Sequence, residues 1–174
     1  MAIQTKDRKR MLKENPLDYN STEYIGEFNC GGFALQTLDW YIPASWRDYE
    51  GGVESEEDLE LAFNLCTEDI IKDYEVRGDT DYYLEEIPNY ASVPIGVEVI
   101  GFRFDVELND EFDDDDITNR YFLDDFHFIW RDSKGVWWDK PGFTEVKQFT
   151  QGLYDDWNGR YNSEIIWFAK RKFL

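Results

Sequence analysis

Histidine is almost missing from this chain: its 174 residues contain one, His127, together with only two cysteines, Cys30 and Cys66. Two cysteines allow one disulfide at most, which excludes the cysteine-dense scaffolds of small secreted proteins, and their spacing fits no metal-binding motif. No metal or cofactor is therefore expected. Basic residues are also scarce, 18 against 38 acidic ones, for a net charge of −20. That balance argues against direct binding to nucleic acid, to an anionic membrane or to an anionic wall polymer, and favours basic partners. No stretch approaches the roughly 18 apolar residues that would span a bilayer. The first twenty residues, MAIQTKDRKRMLKENPLDYN, are charged and have no apolar core of a signal peptide. These absences lead to the expectation of a reduced, cytoplasmic protein. Internal repeats and low-complexity linkers are absent too.

What the chain does have is aromatic mass. Seven Trp, eleven Tyr and thirteen Phe make up 18% of it, far more than a disordered acidic chain carries, so the acidity decorates a folded body. The length suits one packed core and is short for two, which predicts a single domain over residues 1–174. The acidic surface serves solubility, or it imitates the phosphate rail of a nucleic acid.

Residues 30–40, CGGFALQTLDW, place Phe33, Ala34, Leu38 and Tyr41 near helical spacing, with Pro43 as the stop, so a helix is expected to begin at or beside Cys30. In residues 55–74, Ser55 and Asp58 approximate a capping box. Leu59, Ala62, Phe63, Cys66, Ile70 and Tyr74 then form one apolar stripe. That pattern makes Cys66 a core residue of an amphipathic helix, expected as an insertion that covers the site or another sheet edge. From residue 94 the period becomes two: Val97, Val99, Phe102, Phe104 and Val106 alternate with polar neighbours, and Gly101 marks a plausible bulge. The run Asp113–Asp116 interrupts this strand as an exposed loop, without the ligand spacing and turn glycine of an EF-hand. Near the C-terminus, Ile165 to Ala169 reads as a central strand, and the cationic tail KRKFL is expected to remain in water.

The most informative stretch is DDFHFIWRDSKGVWWDKPG, residues 124–142. Residues 126–131 alternate, 132–135 have turn chemistry, and 136–139 return as a second strand, a β-hairpin. Phe126, Phe128 and Trp130 share one face, and His127, Ile129 and Arg131 the other. Two registers are open. With Gly135 as a bulge residue, Ile129 lies opposite Asp139, and Asp139 becomes a diagonal neighbour of His127 on one face. Without the bulge, Phe128 pairs with Asp139 and the carboxylate points away. Gly135 favours the first.

A cysteine at a helix start, a histidine on a strand and a polar residue on the next strand resemble the papain-like cysteine peptidase and amidase superfamily, especially its small NlpC/P60 and CHAP-type members from bacteria and phages. The resemblance covers the Cys30 region and residues 124–142. It implies an α+β fold of the papain-like, NlpC/P60 type, with the N-terminal helix packed on an antiparallel sheet. It also implies Cys30 as nucleophile, His127 as general base and acid, Asp139 as the orienting group, and Asn29 and Gly31 as oxyanion-hole candidates. Many NlpC/P60 proteins have His where Asp139 stands, and either residue can orient an imidazole. The implied activity is cleavage of an amide, thioester or isopeptide bond in a protein or peptide. Two alternatives stand beside it: a non-enzymatic nucleic-acid mimic that blocks a basic defence or regulatory protein, and an inactive papain-like binding protein.

Overall fold

The computed structural model describes residues 5–110, 119–149, 157 and 161–174. Asp113–Asp116 lie outside the described residues. The chain is α+β, with six strands in one antiparallel sheet and several helices. Helices α1 (Thr5–Glu14), α2 (Cys30–Ala34), α3 (Ala44–Tyr49) and α4 (Glu56–Arg77) precede strands β1 (Tyr82–Ile87), β2 (Val99–Leu108), β3 (Tyr121–Arg131), β4 (Trp137–Asp139), β5 (Lys147–Phe149) and β6 (Ile166–Lys172). The sheet order is β1-β6-β2-β3-β4-β5, so the last strand enters the sheet's interior. Among the described residues no helix is long and apolar enough to cross a membrane.

The two sheet faces bury different material. Phe102, Phe104, Phe126, Phe128, Trp130 and Phe168 face the helices, while Val99, Ile129, Trp167 and Ala169 form a second, smaller core with Trp157. Double coverage explains why β2 does not alternate as expected: Val99 to Phe104 are all buried. Its irregularity falls between Asp105 and Val106 and not at Gly101. Gly101 has a packing reason instead, because a Cβ there would lie 2.8 Å from the Trp167 ring and 3.0 Å from Ile129.

Helix α4 starts where its cap places it, with Ser55 Oγ accepting from the Asp58 N–H. Cys66, Ile70 and Tyr74 are buried and Phe63 stacks on Phe104 at 4.0 Å. The helix packs against α3 and the outermost strand β1 and contributes nothing to the cavity at Cys30, so of its two expected placements the sheet edge is the observed one.

The helix at Cys30 is much shorter than its apolar spacing predicts. It ends at Ala34, because Gln36 and Leu38 turn to positive φ (61° and 59°) and the Thr37 and Leu38 N–H groups both donate to Gly32 O. Phe33, Ala34 and Tyr41 are buried as their apolar character requires, but across a fold-back and not along one helix. In the C-terminal tail Lys172, Phe173 and Leu174 are exposed as expected, and Lys170 departs from expectation. Lys170 is buried inside β6, and its ammonium pairs with Glu98 at 3.1 Å.

Candidate active site

The β3–β4 hairpin adopts the bulged register. Ile129 is opposite Asp139, Gly135 has φ 86°, and Gly135 N–H donates to Asp132 O while Asp132 N–H donates to Val136 O. Asp132 organises the turn: Oδ1 accepts from the Lys134 and Val136 N–H groups, and Oδ2 accepts from the Trp138 indole. Continuing the register by two residues would place Pro141 opposite His127. Proline has no N–H for the ladder, and pairing stops at Asp139. The sheet therefore opens at His127, next to β3's contact with α2, whose first residue is Cys30.

The three candidate residues converge there. His127 Nε2 and Asp139 Oδ1 are hydrogen-bonded, with both side chains buried. The Cys30 side chain lines the same cavity as the imidazole and acts on it electrostatically. With Nε2 engaged by Asp139, Nδ1 is the ring nitrogen left for sulfur. Burial by itself lowers the imidazole pKa, but the negative charge of Cys30, the hydrogen bond to Asp139 and the Asp139 charge outweigh it and raise the value to about 10. His127 is thus held as imidazolium at neutral pH.

Asn29 and Gly31 have clear structural duties. Asn29 Oδ1 accepts from Gly32 N–H and Tyr41 N–H, both at 3.0 Å, and Nδ2 donates to Tyr41 O at 2.7 Å. The side chain caps α2 and pins the returning segment beside it. With Gly32 N–H on Asn29 Oδ1 and Phe33 N–H on Asn29 O, the Cys30 and Gly31 N–H groups are those remaining at the helix start. The glycines have a packing reason of their own. A Cβ on Gly31 would sit 2.9 Å from Tyr41 Cδ1, and one on Gly32 only 1.8 Å from Asp39 O. Gly32→Ala is therefore expected to destabilise the fold by about 2 kcal/mol or more, since a backbone carbonyl has to move. Wild-type stability of that variant in urea would overturn the close contact.

Two participants escape sequence reasoning. Lys140 is fully buried. Its ammonium donates to Phe28 O and to Gly142 O, each at 2.6 Å, and so ties the end of β4 to the chain entering α2. Burial lowers its pKa to about 8, partly opposed by the Cys30 charge. Tyr161 stacks on the His127 ring at 4.8 Å and donates its hydroxyl to Asp125 Oδ2 at 2.8 Å. Nothing local to Lys140 announces a buried cation, and Tyr161 lies in a segment without periodicity.

A cavity of about 330 Å³ opens beside these groups. Cys30 and His127 form its reactive end, Trp40, Trp46, Phe126, Phe143 and Tyr161 its aromatic wall, and Glu50, Asp124 and Asp125 its acidic part. A larger groove of about 880 Å³ has an apolar floor of Leu59, Phe63, Val106 and Ile166 beneath Glu56, Glu60, Glu86 and Glu164, and contains none of the three converging residues. Among the described residues no cluster of His, Cys, Asp and Glu could hold a metal ion. Comparison of the chain with family models, curated proteins and solved structures finds no match in any of the three.

Proposed function

We propose that this protein is a papain-like thiol hydrolase that cleaves an amide, thioester or isopeptide bond in a protein or peptide. The observation that supports this reading is the convergence of Cys30, His127 and Asp139 at the margin of a cavity. An imidazolium beside a thiol favours the thiolate, the nucleophilic form of sulfur. The thiolate attacks the substrate carbonyl carbon, a C–S bond forms, and the oxyanion takes hydrogen bonds from the Cys30 and Gly31 N–H groups. His127 passes its Nδ1 proton to the leaving nitrogen or sulfur as that bond breaks, which leaves a thioester on Cys30. Water, deprotonated by the now neutral imidazole, attacks the thioester carbonyl. The C–S bond breaks, the carboxylic acid departs, and the thiolate–imidazolium pair returns. Asp139 holds the ring in the orientation both steps need.

The test uses aryl thioesters and peptide amides, with mass spectrometry to detect acylated Cys30. The wild-type protein is expected to form the adduct and turn over. Cys30→Ala should form none, and His127→Ala should be slower by about 10³-fold or more. Absence of both turnover and adduct across the panel would overturn the reading.

The net charge and the acidic groove support a second reading, a non-enzymatic binder of a basic protein. There Cys30→Ala leaves the biological effect unchanged, while Glu60→Gln with Glu86→Gln weakens binding and added salt abolishes it.

A further inference from the structure

We infer, building on the hydrolase reading, that the cavity selects a substrate carrying a lysine or arginine side chain beside the scissile carbonyl. Glu50 and Asp124 are exposed carboxylates at the cavity that holds Cys30, and no lysine or arginine among the described residues pairs with either. Asp125 joins them there, with one oxygen on its neighbour's Phe126 N–H and the other on Tyr161 OH.

The rest of the cavity suits the stem of such a side chain. Trp40 and Phe143 pack together at 4.4 Å and remain 42% and 72% exposed, an aromatic lip that tertiary packing leaves uncovered. Aliphatic methylenes laid along these rings bury apolar surface, and a terminal cation gains from aromatic faces and carboxylates together. An anionic side chain in the same place meets the Glu50 and Asp124 carboxylates, and a short neutral one leaves the lip in water. Charge and shape thus select the same residue type.

The first experiment reads the cavity without requiring turnover. Cys30 is modified with two methanethiosulfonates of equal reach, one ending in trimethylammonium and one in sulfonate. In each, the thiolate displaces methanesulfinate and a mixed disulfide forms. The cationic reagent is expected to react on the order of ten-fold faster at low salt, by electrostatic focusing. That ratio should collapse in Glu50→Gln/Asp124→Asn and persist in Glu60→Gln/Glu86→Gln, which removes the same charge from the larger groove, whose lining does not include Cys30. Equal loss in both double variants would attribute the preference to overall acidity and overturn the proposal. In a second experiment, internally quenched peptides with Lys, Gln or Glu flanking the cleavable bond are compared at limiting concentration. The Lys peptide should have the highest kcat/KM, and Glu50→Gln/Asp124→Asn should remove the advantage through KM. Equal kcat/KM for all three would overturn the selectivity. No cleavage of any peptide and no acylation of Cys30 by the aryl thioesters, with the reagent ratio intact, would overturn the hydrolase reading while preserving the cation-selective cavity.

Discussion

At pH 7, iodoacetamide is expected to alkylate Cys30 about 10³-fold faster than Cys66. Cys66 is fully buried in α4, and burial, with the charges of Asp69 and Asp48, pushes its pKa up to about 12. Only about 10⁻⁵ of it is thiolate at neutral pH, against a few per cent for an ordinary exposed thiol. Cys30 lines the cavity with an imidazole held in its charged form. His127→Ala removes that counter-charge and should slow Cys30 by about 10²-fold while leaving Cys66 unaffected. Faster or equal labelling at Cys66, found by peptide mapping, would remove Cys30 as the nucleophile.

Replacing Asp139 by alanine is expected to cost about 3 kcal/mol of stability near pH 6, because it strands a buried imidazolium without its carboxylate. The cost should shrink as pH rises. The folded-state pKa of His127 is raised above its unfolded value of about 6.5, so the stabilisation it contributes is fully present below that value and is lost as pH climbs through about 10. Lys140 works in the opposite direction. Its folded-state pKa is lowered, so stability rises from about pH 8 towards its unfolded value. The causes of its shift are burial and Cys30, which both proteins retain, so its contribution cancels in the difference between wild type and Asp139→Ala. Urea unfolding at pH 6 and pH 10 measures that difference. A gap that stays constant or widens with pH would show that the carboxylate does not stabilise a charged His127.

Where local chemistry decides a structure, the residues announce it. Ser55 and the stripe to Tyr74 specify α4 because a cap and a 3.6-residue period are complete within one segment. Gly135 and Asp132 specify the hairpin register because the turn needs one positive φ and one side-chain acceptor, both supplied within five residues. That register carries His127 and Asp139 onto one face, so two of the three candidate residues were paired by local rules before any long-range contact.

Long-range contacts decided the rest. The spacing of Phe33, Ala34, Leu38 and Tyr41 fits a helix, yet the Asn29 carboxamide binds Tyr41 and closes the segment into a turn, an interaction no periodicity encodes. Lys170 follows an apolar strand and looks like a wet tail until Glu98, 72 positions earlier, pairs with it. Lys140 and Tyr161 became part of the site only because strand order brings Phe28 and His127 to them. The sequence by itself determined the elements whose hydrogen bonds close within a few residues, together with the identity of one thiol, one imidazole and one carboxylate. Only the tertiary structure decided that they meet, since their convergence depends on burying both faces of one sheet and on a proline that ends β4 opposite His127.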